Sequence, residues 1–334
     1  MDKNLPEDPA ARARTGADRL LWRREILATL ALAWPMIAIN LSQTGLGATD
    51  VIMLAWLGPE VLAAGSLGFN LYFVAFVGSL GLISAISAMI AVERGRNRHS
   101  VREVRRSFRQ GLWSAVALAV PIWIALWNAE AILILLGQEP ALAAQAAEYL
   151  RYKQWGLLPM LGFVALRFFL AGMERPFLAL VVSLCGLVVN ALANYALIFG
   201  NFGAPAMGLN GAGIATTLTA SFMFVMLTLI ARRDRRFRRY ALFGRFWRAD
   251  WPRFFELWRL GMPISAMILF EVMIFSAALF LMGMISTQAL AAHTIAIQIA
   301  SLAFMVPLGL GQAVTVRVGV AYGARDHAAI ARAG

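Results

Sequence analysis

Residues 264–284, ISAMILFEVMIFSAALFLMGM, form an apolar run in which a single residue, Glu271, carries a charge. At 1.5 Å per residue, a helix of this length crosses the roughly 30 Å hydrocarbon core of a bilayer. A charge at the bilayer centre costs about 2.5–3.5 kcal/mol on insertion scales, and such residues usually face a cavity that serves an ion or a substrate. Glu271 is therefore a candidate functional residue, with a structural carboxylate bonded to a neighbouring helix as the alternative.

The rest of the chain is equally apolar. Of its 334 residues, 60% are hydrophobic, and the mean hydropathy is +0.69. Repeated long apolar runs predict an all-α polytopic membrane protein with about eight transmembrane helices, because β-barrel strands would be short and alternating. We place these helices at 26–50, 60–91, 110–136, 143–171, 177–199, 210–231, 257–284 and 288–320.

The net charge of +12 comes from arginines concentrated between apolar runs. Residues 93–109 hold seven arginines and residues 231–254 hold nine, whereas the links on the other side of the membrane lack Lys and Arg. This is the positive-inside pattern, which predicts a cytoplasmic N-terminus and argues against nucleic acid as a partner. Residues 241–256 mix aromatic residues with arginine, as amphipathic segments on a membrane surface do.

The chain repeats itself. Residues 33–67 align without a gap with residues 261–295 at an offset of 228. Matched pairs include Pro35 with Pro263, Gly95 with Gly323 and His99 with His327. The unit holds six helices, an even number, so both copies enter the membrane in the same direction, as in parallel transporter repeats. The chain ends two helices into the second copy, so we expect an N-terminal portion of a protein of roughly 450 residues.

This organisation predicts four segments. They are a basic cytoplasmic tail (1–24), a first lobe of six helices (25–231), an inter-lobe linker (232–256) and the first two helices of a truncated second lobe (257–334).

Two of the eighteen acids lie well inside apolar runs, Asp50 in the first helix and Glu271 in the seventh. In the repeat, Glu271 occupies the place of Gln43. Gln43 and Asp50 are seven residues apart, so they share a helix face, and Asn40 lies nearby. An amide and an acid on one face predict a polar site within the first lobe.

Helices five and six add further polar groups. Asn190 and Asn194 are four residues apart on one face, and GLNGAGIATTLT (208–219) opens helix six with glycines that permit close packing and with Thr216 inside. Each alone fits a structural bridge between helices. Together with Asp50 they predict a polar pocket.

Four residues leave alternatives open. Pro35 and Pro263 lie in the first third of their helices, where they produce either a static kink or a hinge. Arg151 and Lys153, near the outer end of helix four, either extend to the membrane surface or face a cavity. The chain holds no P-loop and no enzymatic constellation, which predicts no enzyme and no cofactor beyond a coupling ion.

The ordered motifs resemble those of the multidrug and toxic compound extrusion (MATE) family, closest to its NorM-type members. They are WP…Q…ATDVIMLAWLG in helix one, NFGAPAMGLNGAGIATT between helices five and six, LFEVMIF in helix seven, AAHTIA in helix eight, and VTVRVG at its end. The resemblance implies two six-helix lobes around a V-shaped cavity. It also implies efflux of cationic, often aromatic drugs against Na⁺ or H⁺, by a monomer in a bacterial inner membrane.

Residue by residue, the resemblance implies roles. Asp50 matches the essential acid of helix one, and Gln43, Asn190, Asn194 and Thr216 match positions of the first-lobe pocket. Glu271 matches the acid of the second-lobe cation site, with Na⁺ as a possible ligand. Pro35 matches a proline at which helix one bends. Some relatives carry an acid in place of Asn194, so proton coupling through that position is in question. A lipid-linked sugar flippase of the same superfamily and a passive channel are the alternatives.

Overall fold

The computed structural model describes residues 9–97, 101–244, 250–285 and 287–334, without the side chains of 9–20, 279, 280, 283–285, 287–291, 294 and 295. Over these ranges the chain is helical and contains no strand. The α-helices are α1 (Pro9–Ala55), α2 (Pro59–Arg96), α3 (Val101–Trp127), α4 (Ala129–Leu135), α5 (Pro140–Lys153), α6 (Leu157–Gly172), α7 (Phe177–Phe199), α8 (Gly208–Arg233), α9 (Arg235–Arg238), α10 (Trp251–Ile285), α11 (Thr287–Gly323) and α12 (His327–Ala333). Single 3₁₀ turns at Gln154–Gly156 and Asn201–Gly203 join α5 to α6 and follow α7.

Eight helical segments in the described ranges are long and apolar enough to cross a membrane. They are α1 from Leu21 onward, α2, α3, α5 together with α6, α7, α8, α10 and α11. The predicted number of spans is therefore confirmed. Pro35 and Pro263 lie inside α1 and α10, and each helix continues through its proline.

Several predicted boundaries are wrong, and the third helix begins at Val101 and not at 110. The third helix ends at Trp127 and not at 136, because the Asn128 side chain bonds the carbonyl of Ile124 at 2.8 Å and competes with the helical ladder. Helix seven begins at Trp251 and not at 257, so the last part of the predicted linker is its first turn. Residues 245–249, in the middle of the predicted surface segment, lie outside the described residues.

α2 lies at the centre of the molecule. It packs against α3, α5 and α6 on one side and against α10 and α11 on the other. The first-lobe core beside it is apolar and rich in aromatic rings, with Phe108 and Phe169 in edge-to-face contact at 5.4 Å and both fully buried. Such pairs add about 0.5–1.5 kcal/mol beyond the area that they bury. This packing holds α1, α7 and α8 against a rigid base.

The repeat in the sequence is also a repeat of contacts. A methyl group added at Gly81 of α2 would lie 2.5 Å from Cα of Ser265, and one added at Gly309 of α11 would lie 3.0 Å from Cα of Ile37. Gly309 and Ser265 are the residues that match Gly81 and Ile37 at the offset of 228. Reciprocal contacts of this kind are the signature of a two-fold relation.

On the pseudo-two-fold axis, residues of the first copy contact their own counterparts in the second copy. Gly95 of α2 contacts its own counterpart, Gly323 of α11, and Ala91 contacts its counterpart Gly319. The helices approach so closely here that a methyl group at Gly95 would stand 2.0 Å from the carbonyl oxygen of Val320. The axis therefore passes between α2 and α11, and the molecule is tightly closed at this end, which we call the arginine-rich end after the arginines around it.

α10 and α11 are far less buried than the other spans, because in the described structure they pack mainly against α1, α2 and α3 and leave their remaining faces uncovered. Large apolar side chains such as Phe270, Met273 and Phe275 are exposed on α10. Exposed apolar helix faces of this kind require lipid or further helices around them.

Candidate functional site

The site is built around Asp50, which is only 4% exposed although it lies in a membrane span. Its Oδ1 accepts hydrogen bonds from the side-chain amides of Asn190, at 3.1 Å, and Asn194, at 2.7 Å. Its Oδ2 accepts one from the hydroxyl of Thr216 at 3.0 Å. The structure thus brings together four of the sequence-predicted residues, from α1, α7 and α8. Hydrogen-bonded donors offset the cost of burying a carboxylate.

Close packing of α7 and α8 makes this arrangement possible. A methyl group at Gly211 would lie 2.4 Å from the carbonyl oxygen of Leu197, and one at Gly213 would lie 2.9 Å from the carbonyl oxygen of Tyr149. The glycines of the GLNGAG segment therefore let α8 approach both α7 and α5, which aims Thr216 at the same carboxylate as the two asparagines.

Lys153 is the residue of the site that the sequence analysis left undecided. Its ammonium nitrogen lies 3.9 Å from Oδ2 of Asp50 and the residue is 1% exposed, whereas Arg151, two positions earlier, is exposed. Lys153 is the last residue of α5, and the 3₁₀ turn begins directly after it. Of the two predicted alternatives, Lys153 faces inward and Arg151 does not. The four-residue spacing of Tyr149 and Lys153 was the available sequence signal.

Gln43 takes part in a separate polar contact. Its amide donates to the hydroxyl of Ser183 at 3.2 Å, and the Ser183 hydroxyl bonds Ser42 at 3.1 Å. Gln43 and Asp50 do face the same helix, α7, as their spacing predicts. Seven residues correspond to about 10.5 Å along a helix, so they contact different turns of it. Ser183 was not predicted from the sequence.

Glu271 stands apart from the Asp50 cluster. It is half-buried on α10, and among the described residues it forms no hydrogen bond or ion pair. The described part of the chain also contains no group of three His, Cys, Asp or Glu side chains that could hold a metal. The Na⁺ site at Glu271 stays a prediction.

A third buried polar contact joins the two repeats. Arg167 of α6 is 5% exposed, and its guanidinium donates to the side-chain oxygens of Asn40, at 2.9 Å, and Gln312, at 3.5 Å. Gln312 belongs to α11, so this arginine ties the first lobe to the second. The contact places Asn40, which the sequence put near the acid pair, at the lobe interface.

Ion pairs close the arginine-rich end. Arg317 of α11 donates to both oxygens of Glu25 of α1, at 2.8 and 2.7 Å, and to Glu174 at 2.8 Å. Glu174 also pairs with Arg94 of α2 at 3.2 Å. We call these four residues the ion clamp. It joins α1, α2, the turn after α6 and α11, so that the two lobes cannot separate here without breaking it.

A second set of charges holds the start of α10. Arg253 pairs with Glu93 of α2 and with Glu256, and Asp250 accepts a hydrogen bond from Arg106 of α3. That hydrogen bond lowers the pKa of Asp250 below its usual value. By the 228-residue offset, Arg253 is the counterpart of Glu25. The two repeats therefore use matching positions, with opposite charges, to bind each other's helices.

Comparison with known proteins was consistent with this architecture. The MatE family model matches residues 35–196 and 263–334. A protein of Mesorhizobium japonicum named probable multidrug resistance protein NorM is 56% identical over 94% of this chain and 67% of its own length. A protein of the same name from Brucella suis is 52% identical over 94% of this chain and 66% of its own length. The chain thus spans about two thirds of the length of these curated relatives.

Solved structures agree on the fold. The crystal structure of the eukaryotic MATE transporter AtDTX14 matches with a TM-score of 0.83 at 21% identity, over 93% of this chain and 68% of that one. A MATE transporter in a bent conformation matches with a TM-score of 0.81 at 23% identity, over 94% and 69%. From its two-fold repeat, its eight spans and these matches, the chain belongs to the MATE family.

Proposed function

We propose that this chain forms the cation-binding lobe of a multidrug efflux transporter, which exchanges cationic, often aromatic drugs for Na⁺ or H⁺ by alternating access. The single observation that carries the proposal is Asp50, a carboxylate buried in a membrane span and held by three uncharged donors. The relatives named as multidrug resistance proteins support the substrate class.

The donor set around Asp50 suits a small cation. Carboxylate, amide and hydroxyl oxygens are the ligands that hard cations prefer. The amide oxygen of Asn194 is buried and has no hydrogen-bond partner among the described residues, so it is a free acceptor beside the carboxylate. A proton on Asp50 would remove the same negative charge that Na⁺ would neutralise. In either case one carboxylate cannot also hold a drug cation, and this competition is the basis of exchange.

The closed arginine-rich end supports alternating access. An exchange mechanism needs a state in which the pocket opens to one side only, and the ion clamp together with the Gly95–Gly323 contact seals one side here. The positive-inside rule supports a cytoplasmic location for this side, and we propose a bacterial inner membrane with the N-terminus in the cytoplasm. We propose that it works as a monomer, with Pro35 and Pro263 as the bends of α1 and α10.

The flippase alternative depends on basic residues that face the cavity. Lys153 lies against Asp50, and Arg167 is buried between Asn40 and Gln312. A large anionic headgroup would have to compete with these partners, which favours cationic cargo. The channel alternative requires a continuous polar path, whereas the polar contacts of Asp50, Gln43 and Arg167 are separate clusters.

The test uses Asp50→Asn and Glu271→Gln. Binding of tetraphenylphosphonium is measured on the chain in nanodiscs, and drug export is measured in a chimera completed with the last third of the Mesorhizobium japonicum relative. The rate of drug export by the chimera is compared under a Na⁺ gradient alone and under a pH gradient alone. The gradient that drives export identifies the coupling ion. We expect Asp50→Asn to abolish binding and export, and Glu271→Gln to abolish export. Wild-type export by both variants at normal membrane levels would refute the proposal.

A further inference from the structure

A buried lysine ends α5 at the depth of the Asp50 site, and the mechanism outlined above gives it no role. Lys153 is 1% exposed, which for a lysine requires partners, because an ammonium group is strongly hydrated. Its neighbour Arg151 has the same charge and is exposed, so the two basic residues lie on different faces of α5.

The ammonium group of Lys153 is enclosed by aromatic rings. Its nitrogen lies 4.8 Å from the ring centre of Phe69, 5.0 Å from that of Tyr149 and 5.4 Å from that of Tyr72, and it donates a hydrogen bond to the Tyr149 hydroxyl. Asp50 is the only carboxylate that pairs with it among the described residues, at 3.9 Å. Aromatic faces around a cation, with an acid beside them, form the kind of site that binds organic ammonium ions.

Asp50 does not depend on Lys153 for its position. The distance of 3.9 Å is too long for a hydrogen bond, and both carboxylate oxygens already accept hydrogen bonds from Asn190, Asn194 and Thr216. The ammonium is held instead by the three rings and the Tyr149 hydroxyl. The Asp50 carboxylate and the aromatic cage formed by Phe69, Tyr72 and Tyr149 therefore form a cation site of their own. The lysine side chain fills this site.

We propose that Lys153 is a built-in occupant of an organic-cation site formed by Asp50, Phe69, Tyr72 and Tyr149, and that a guest cation binds there only when the lysine leaves. This inference rests on the proposed function and specifies how its site is controlled. One carboxylate neutralises one cation, so the lysine and the guest exclude each other. The four-carbon stem allows the ammonium to withdraw without moving the backbone. Lys153 would thus lower the affinity for cargo and allow its release.

The first experiment measures tetraphenylphosphonium binding to the chain in nanodiscs. Lys153→Met removes the charged nitrogen and keeps a flexible side chain one atom shorter, and we expect the Kd to fall at least tenfold. Arg151→Met, which removes the same charge from an exposed neighbouring position, is the control and should leave the Kd unchanged. Tyr149→Phe keeps the ring and removes the hydroxyl that holds the ammonium, and should lower the Kd about threefold without altering the charge of the site.

The second experiment tests the cage itself. Lys153→Ala empties it, so n-propylammonium should raise the melting temperature of this variant and not that of the wild type. The double variant Asp50→Asn/Lys153→Ala should show no such rise. The rise would show that Asp50 and the three rings hold a free ammonium ion when the lysine side chain is absent, as the proposal requires.

The outcomes separate the two proposals. If Asp50→Asn abolishes tetraphenylphosphonium binding but Lys153→Met and Tyr149→Phe bind it no more tightly than the wild type, the role of Lys153 is overturned and the proposed function stands. The absence of an amine-dependent rise in Lys153→Ala also overturns it. If Asp50→Asn binds as the wild type does, the proposed function fails. Should the Lys153 variants not fold, the Tyr149→Phe result decides the question.

Discussion

Gly95→Ala is the sharpest test of the closed arginine-rich end. The added methyl carbon would lie 2.0 Å from the carbonyl oxygen of Val320 and 2.9 Å from Cα of Gly323. Carbon and oxygen atoms that are not bonded approach to about 3.3 Å, so α2 and α11 must separate by roughly 1.3 Å. Both obstacles are backbone atoms and no side-chain rotation relieves them. Overpacking of this kind costs about 1–3 kcal/mol, which shifts an open–closed equilibrium about 5- to 160-fold.

The assay follows the opening of the same interface. Val316 of α11 is fully buried in the described structure, and cysteine is smaller than valine and so fits in its place. In a background with Cys185, the chain's single cysteine, replaced by serine, Val316→Cys should react slowly with a membrane-permeant maleimide. Adding Gly95→Ala should raise the labelling rate by the factor given above, because the rate follows the population in which the two helices are apart.

Gly311→Ala is the matched control. It adds the same methyl group to α11, and nothing lies within 4 Å of the position that the group would take. We expect no change in the labelling rate of Val316→Cys. Equal rates for Gly95→Ala and Gly311→Ala would refute the reasoning, since they would mean that the glycine crossing does not limit the separation of the lobes.

Two further predictions concern charges at the same end. Arg317→Met leaves Glu25 and Glu174 without the arginine that they share, and should lower the free energy of unfolding by about 1.5–3 kcal/mol. Arg259→Met, at an exposed position of α10, is the control and should change it little. Equal thermal unfolding of both variants would contradict a stabilising role of the ion clamp. Because the pKa of Asp250 is lowered in the folded protein, its pair with Arg106 stabilises the fold above about pH 4 and this contribution is lost as the pH falls through the lowered value. The melting temperatures of the wild type and Asp250→Asn should therefore differ at neutral pH and converge in acid, and a difference independent of pH would show that the carboxylate charge is not involved.

Much of this architecture is accessible from the sequence because a bilayer restricts the possible structures. Spans must be apolar and about twenty residues long, so eight of them can be counted. The 228-residue repeat predicts which helices correspond, and the reciprocal contacts of Gly81 and Gly309 follow it. The end of the third span was misplaced because Asn128 ends the helix through its own side chain, which an apolarity pattern does not detect.

The contacts within the site were harder to predict from the sequence. Helical spacing correctly predicts that Gln43 and Asp50 face one helix, but not which turn of it each contacts. α1 and α7 run in parallel, so Gln43 contacts Ser183 while Asp50, seven residues later, contacts Asn190, seven residues after Ser183. Lys153 was undecided because helical spacing indicates that it lies beside Tyr149 on α5, but does not indicate which face of α5 is directed towards Asp50.

The two repeats share a backbone arrangement but not a charge arrangement. Gln43 of the first copy corresponds to Glu271 of the second, and Asp50 corresponds to Ala278. Each lobe therefore has one membrane-embedded acid, but at a different position of the repeat. The two positions are seven residues, or about 10.5 Å, apart along the helix. Under the proposed function, the matched packing of Gly95 and Gly323 would let the two lobes move as equivalent bodies, and the staggered acids would give the lobes different cation affinities. We therefore propose that an ion bound in one lobe drives a movement that is the same for both.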